Sequence, residues 1–159
     1  TTVTPGRERK ALFCAPYIHS GQSLVCNIEK TPNLRSIDDL RGLVLAVQEG
    51  NTSQPVAQRL KAEGRVGEVR VYAYHDIGKM LDDLDAGQIG AIMKLAPVMH
   101  WFTKDRPHLR VVKEGITQED LAIAVGLSNE PLRRAIDDAQ ARLQANGTLP
   151  RLIAKWIGA

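Results

Sequence analysis

A short turn in the middle of the chain carries the clearest chemistry. Gly50-Asn51-Thr52-Ser53 follows the apolar run at residues 43–48 and precedes a helical pattern, with Pro55 near its start and Val56, Ala57 and Leu60 on one face. A strand, a tight turn and a helix N-terminus are expected. The first turn of a helix offers N–H groups without intrahelical partners and the positive end of the dipole, which suits an anionic group such as a carboxylate. The same residues also fit an ordinary capped strand-to-helix turn, and the local sequence leaves both readings open. Gln48 falls at the strand end beside the turn, where a glutamine fits ligand contact and simple exposure equally. His75, just after an apolar run at residues 69–73, is placed at a similar edge, since ligands of open α/β sheets sit beyond strand C-termini. A capping or exposed histidine also fits that position.

The elements that must hold these residues follow from periodicity. Strands are expected at residues 24–28, 43–48, 69–73, 89–93, 109–112 and 121–125, with helical patterns between most of them. Ile77, Met80, Leu81 and Leu84 have the spacing of a helix burying one face, with Asp76 as N-cap and Gly87 as its stop. Residues 96–104 read as another helix. This alternation predicts an α/β layer with a largely parallel sheet. After Val125 only helices are expected. Asn129 or Ser128 caps one with Leu132, Ala135, Ile136, Ala139 and Leu143 on a face, and Thr148 starts a shorter one through Leu152, Ile153, Trp156 and Ile157. The opposite side, with Arg133, Arg134, Asp137, Asp138 and Arg142, reads as a solvated face. Trp101 and Trp156 are expected to be packing residues.

Composition limits the functional classes. At 159 residues, 43% hydrophobic, the chain can bury a domain-sized core. The net charge of +3 comes from basic residues interspersed with acids, so no nucleic-acid partner is expected. No apolar run approaches the length of a membrane span. Cys14 and Cys26 are expected as two buried thiols. His19, His75, His100 and His108 have no metal-ligand spacing with one another or with the cysteines, so neither a metal nor a cofactor is expected. The chain opens on Thr1-Thr2-Val3-Thr4 without an initiator methionine, and its start reads as an internal cut.

Several separated segments add up to a resemblance. Thr4-Pro5-Gly6-Arg7 and Phe13-Cys14-Ala15-Pro16-Tyr17 resemble the "T-P-x-R … F-S-x-P-Y" stretch of the family 3 extracellular solute-binding proteins. Gly21-Gln22-Ser23-Leu24-Val25, Ser36-Ile37-Asp38-Asp39-Leu40-Arg41-Gly42 and Val47-Gln48-Glu49-Gly50-Asn51-Thr52 continue in the same order. Leu84-Asp85-Ala86-Gly87-Gln88-Ile89-Gly90-Ala91 is similar to the family's "L-x-x-G-x-I-D-A". Gly147-Thr148-Leu149 and Lys155-Trp156-Ile157-Gly158 resemble its "G-T-L … K-W-x-G" ending.

The resemblance implies an α/β fold of the type 2 periplasmic-binding architecture. One complete α/β lobe and a partial second lobe would be joined by hinge strands. Residues 1–22 would end lobe one, 23–116 would form lobe two, and 117–159 would return to lobe one with its C-terminal helices. The first part of lobe one, with its usual aromatic platform, is not in this sequence. By resemblance, Arg7 matches the arginine that grips the ligand carboxylate, a task suited to its bidentate fork. On its own, Arg7 also fits a surface run with Arg9 and Lys10. Thr2 matches a hydroxyl-bearing cleft position, and Asn51, Thr52 and Ser53 match the turn that meets the carboxylate from lobe two.

One departure stands out. Where amino-acid binders of the family place an aspartate that accepts the ligand ammonium, this chain has Leu95, with Lys94 beside it. A leucine accepts no hydrogen bond, and an ammonium closed in without a partner is costly. If Lys94 turns inward, the site suits an anion lacking an amine; otherwise Lys94 is a snorkelling surface lysine.

The function implied is a periplasmic solute-binding component, of ABC-transporter type, that captures a small anionic metabolite or amino-acid-like ligand between two lobes. A membrane permease or receptor would read the closed form. The alternatives are a cyclohexadienyl dehydratase-like enzyme and a ligand-sensing domain of a receptor or transcription regulator on the same fold. An enzyme is not expected, because the cleft positions offer only His75, Lys94 and Glu49 for acid–base work and no paired carboxylates. The incomplete lobe implies self-association or domain swapping of the chain.

Overall fold

The computed structural model describes residues 1–157, so Gly158 of the C-terminal motif lies outside the described residues. The chain begins with α1 (Pro5–Glu8), β1 (Leu12–Phe13), β2 (Ile18–Ser20) and β3 (Gln22–Asn27). A 3-10 turn at Ile37–Leu40 leads to β4 (Val44–Gln48), α2 (Ser53–Ala62), β5 (Glu68–Tyr72) and α3 (Ile77–Asp85). Then follow β6 (Ala91–Leu95), α4 (Ala96–Thr103), β7 (Leu109–Lys113), β8 (Glu119–Leu121) and β9 (Ala124–Val125). The long helices α5 (Glu130–Ala145) and α6 (Thr148–Ile157) close the described chain.

These elements fall into two compact units, Gly21–Thr117 and the combination of Thr1–Ser20 with Gln118–Ala159. The first is a five-stranded sheet in the order β5-β4-β6-β3-β7. Its strands alternate between two apolar faces, as the period of an extended chain requires. Leu24, Leu45, Val47 and Met93 pack with Ala57 and Leu60 of α2 on one side. Val25, Ala46, Tyr72 and Ile92 pack with Met80 and Leu84 of α3 and Met99 of α4 on the other. The helical spacing read from Met80, Leu81 and Leu84 places all three in the core.

The sheet is mixed, which corrects the expectation of a largely parallel one. β4 runs parallel to β5 and β6, but β3 runs antiparallel to both β6 and β7. Every residue of β3 is buried, because it is covered on both faces and paired on both edges. The strand expected at 89–93 lies two residues later. Gly90 only enters the sheet, its N–H on Val44 O at 2.9 Å, whereas Lys94 and Leu95 stay in the ladder opposite Ser23 and Gln22.

In the other unit, β1 pairs with β9 and β2 with β8, both antiparallel, and Thr2 bridges to Leu121. The single strand expected at 121–125 is therefore two short strands, because the extended run changes partner. Leu121 ends the pairing with β2, Ala122 donates to Thr1 O at 2.9 Å, and Ala124 and Val125 pair with β1. Asn129 caps α5, its Oδ1 accepting from Leu132 N at 3.4 Å. Neither α5 nor α6 has a buried residue among those described, and Leu132, Leu143, Leu152 and Trp156 are exposed.

The expected solvated face of α5 holds for Arg134, Asp138 and Arg142, which are exposed, but not for Arg133 and Asp137. Arg133 is half-buried, donating to both Glu130 oxygens and to Asp137, while Asp137 accepts from Ala15 N at 2.7 Å. Trp101 and Trp156 are surface residues, not packing ones, each lying under a lysine, Lys104 and Lys155. Both cysteines are free and buried, as expected.

The start of β3 depends on a close backbone approach. A Cβ at Gly21 would lie 1.8 Å from Thr117 O. Gly21→Ala is expected to destabilise the fold by about 2–4 kcal/mol, since backbone must move to admit the methyl. Urea unfolding of the two proteins measures the loss.

Candidate functional site

The C-terminal ends of the parallel strands β4 and β6 meet the N-terminus of α2 within the Gly21–Thr117 unit. Gly50 makes the turn possible, because its φ of +71° is a conformation that favours glycine. Its N–H is capped from within the helix by Gln54 Oε1 at 2.9 Å.

The first residues of α2 do not form the ordinary capped turn. Thr52 is the N-cap residue, yet its backbone is helical and its side chain makes no cap hydrogen bond. Its hydroxyl accepts instead from Gln22 Nε2 at 3.0 Å. Ser53, the first residue of the helix, is 1% exposed, and its Oγ has no hydrogen-bond partner in the protein. A buried hydroxyl in that condition costs about 1–3 kcal/mol, so it counts as an open polar valence at the helix N-terminus.

Gln48 organises the remainder. Its Nε2 donates to Tyr74 O at 2.6 Å, and its Oε1 accepts from Asn51 Nδ2 at 3.2 Å and from Lys94 Nζ. Strand alternation explains the meeting. Gln48 shares the face of Ala46, and Lys94 the face of Ile92, so both side chains reach one side of the sheet at its edge. Lys94 is therefore half-buried and bonded inward, not a snorkelling surface lysine. Burial pushes its ammonium down from 10.5 to about 8. Leu95, opposite Gln22, is half-buried and ends the strand.

The sequence-named residues of this unit thus divide. Gln48, Asn51 and Lys94 share one amide oxygen, Thr52 and Ser53 open the adjoining helix, and Leu95 lies next to Lys94 in the strand. His75 stands apart, exposed, its Nε2 3.8 Å from Asp76 Oδ1. Gln22 and the carbonyl of Tyr74 belong to the cluster without having been named as site groups. Its polar side chain at the head of a strand was the only signal for Gln22, and a backbone carbonyl leaves none.

In the other unit, Thr2 is buried and its hydroxyl donates to Glu119 Oε2 at 2.9 Å. Arg7 is half-buried, with Nη1 donating to Thr1 Oγ1 at 3.1 Å and Thr2 O at 3.0 Å. It is thus held against the N-terminal residues, whereas Arg9 and Lys10 are exposed. An open groove of about 590 Å³ in that unit, lined by Tyr17, Gln140, Leu149 and Ile153 among others, contains none of the candidate ligand-binding residues.

Known proteins give this arrangement a family context. Residues 1–159 match the model of the bacterial extracellular solute-binding proteins, family 3. The L-cystine-binding protein TcyJ of Escherichia coli is 31% identical over 99% of this chain and 58% of its own length. A putative ABC transporter arginine-binding protein 2 of the same organism is 28% identical over 98% of this chain and 63% of its own. The chain thus spans about 58–63% of these relatives. An ancestral arginine-binding protein bound to arginine superposes with a TM-score of 0.85 at 26% identity, over 99% of this chain and 69% of that one.

Lys94 generates a stability prediction. Its folded pKa of about 8 lies below the ordinary 10.5, so between these values the unfolded chain binds more protons and stability rises with pH. The penalty is fully present below pH 8. Lys94→Met is expected to stabilise the ligand-free protein by about 1–2 kcal/mol at pH 7, less than the full shift because solvent still reaches the ammonium. The gain should shrink from pH 8 to 10.5, as read from urea unfolding at several pH values.

Proposed function

Because this chain belongs to the bacterial extracellular solute-binding proteins, family 3, we propose that it is the ligand-capturing part of a periplasmic binding protein serving an ABC transporter. Its ligand is a small metabolite with a carboxylate, amino-acid-like in size. The observation that carries this reading is the buried hydroxyl of Ser53, without a protein partner, at the N-terminus of α2. A carboxylate there accepts from that hydroxyl and from the first-turn N–H groups, and its charge is favoured by the dipole.

In this proposal the Gly21–Thr117 unit is lobe two, and the other unit belongs to lobe one. Arg7 and Thr2 are assigned to the ligand-facing surface on the family resemblance, and His75 on its place after the end of β5. Asn51 and Gln48 set the shape of the turn. Capture is non-covalent and reversible, and a membrane permease is the partner that reads the liganded state. The named relatives are binding proteins for cystine and arginine, which supports binding over turnover.

Ser53→Ala separates this reading from a purely structural role. In the natural full-length protein it should weaken carboxylate binding about tenfold, the scale of a hydrogen bond to a charged group. The ligand-free protein should be no less stable, because an unpartnered hydroxyl has been removed. Calorimetric titration and thermal unfolding give both numbers, and unchanged affinity contradicts the assignment.

The exposed apolar residues of the other unit, including Ile123, Leu127, Leu132 and Leu152, support self-association of the 159-residue chain. Light scattering is expected to show a dimer or larger species; a strictly monomeric chain counts against it.

A further inference from the structure

The strand-end edge of the Gly21–Thr117 unit presents two separate anion-seeking features and leaves one of them without a counter-charge. Lys94 forms no ion pair among the described residues; its partner is the neutral amide oxygen of Gln48. That oxygen also takes Asn51 Nδ2, so the ammonium and a side chain of the turn converge on one atom. The groups around the ammonium offer little acid. Gln48 and Asn51 are neutral, Ser23 on β3 spends its hydroxyl on Lys94 O at 2.8 Å, Tyr74 contributes a carbonyl already bonded to Gln48, and Glu49 is exposed. The second feature is the α2 N-terminus with Ser53 Oγ, buried and without a protein partner. The two lie on opposite faces of the sheet, since Ser53 precedes Ala57 and Leu60 on the α2 side and Lys94 shares the Ile92 side.

We infer that the ligand at this edge is an amine-free dicarboxylate lying across the strand ends. One carboxylate sits on the first turn of α2 and Ser53 Oγ; the other pairs with the Lys94 ammonium and relieves Gln48 of it. This rests on the reading of the turn as a carboxylate site and names its substrate class. A monocarboxylate answers only one of the two features. An α-amino acid brings an ammonium beside Lys94 and the positive end of α2, with Leu95 unable to accept its protons, so like charges meet where the ligand is desolvated. A charge-assisted pair at Lys94 is worth more than its present neutral partner, because both charges are shielded from water.

The test is calorimetric titration of the natural full-length protein at pH 7 with succinate and glutarate, with aspartate and glutamate as their amine-bearing counterparts, and with butyrate, cystine and arginine. Succinate or glutarate should bind at least tenfold more tightly than its amine-bearing counterpart and than butyrate. Lys94→Gln, checked as folded by circular dichroism, should lower dicarboxylate affinity at least tenfold, to the level of butyrate. Preferential binding of any of the amino acids overturns the dicarboxylate assignment and leaves the carboxylate site standing. Unchanged dicarboxylate preference in Lys94→Gln overturns the role of Lys94. Failure of every carboxylate, amino acids included, overturns both this inference and the function on which it rests.

Discussion

One side-chain amide holds the candidate site together. Gln48 ends β4 with its nitrogen on Tyr74 O and its oxygen shared by Asn51 and Lys94, so the turns after β4 and β5 and the end of β6 are tied at a single group. The tie depends on register. β4 and β6 pair in parallel through Leu45 with Ala91 and Ala46 with Ile92, which places Gln48 and Lys94 on the same face at the same edge. A slip of one residue would turn Lys94 to the other face and bury an unpartnered ammonium against α2. The apolar alternation of Ala46, Ile92 and their neighbours therefore fixes the polar geometry as well as the core.

The site also stores cost where binding would use it. Ser53 Oγ is buried without a protein partner, and Lys94 is desolvated against a neutral amide. Both are unfavourable in the isolated unit, and both are relieved by a group that is anionic and accepts hydrogen bonds. Strain of this kind is what a binding site is expected to show when its polar groups are preorganised. It also explains why the same residues contribute little to the fold, which rests on the two apolar layers around the sheet.

Much of this was legible in the sequence, and the reasons differ by element. The helices α2 and α3 were readable because Ala57, Leu60, Met80, Leu81 and Leu84 carry the burial at helical spacing. The turn at Gly50 was readable because glycine and small polar residues follow an apolar strand. The end of β6 was not, since Lys94 interrupts the apolar run while the ladder continues to Leu95 through pairing with a strand more than seventy residues earlier. The antiparallel insertion of β3 between β6 and β7 is likewise a long-range choice with no local signature. The partner of Thr52 was not legible for a related reason: its hydroxyl at the N-cap position takes no local bond and accepts instead from Gln22, thirty residues away. The exposed Trp101 and Trp156 show the limit of reading apolar spacing as burial, because an amphipathic helix says nothing about what covers it.

The central claim is that the first turn of α2 holds a carboxylate. It is tested most directly by backbone amide resonances of the isotopically labelled full-length protein during titration with succinate. The account predicts saturable shifts at the amides of Thr52, Ser53 and Gln54, with the midpoint in Ser53→Ala moved to about tenfold higher succinate. Saturable binding that leaves those three amides unmoved would contradict it.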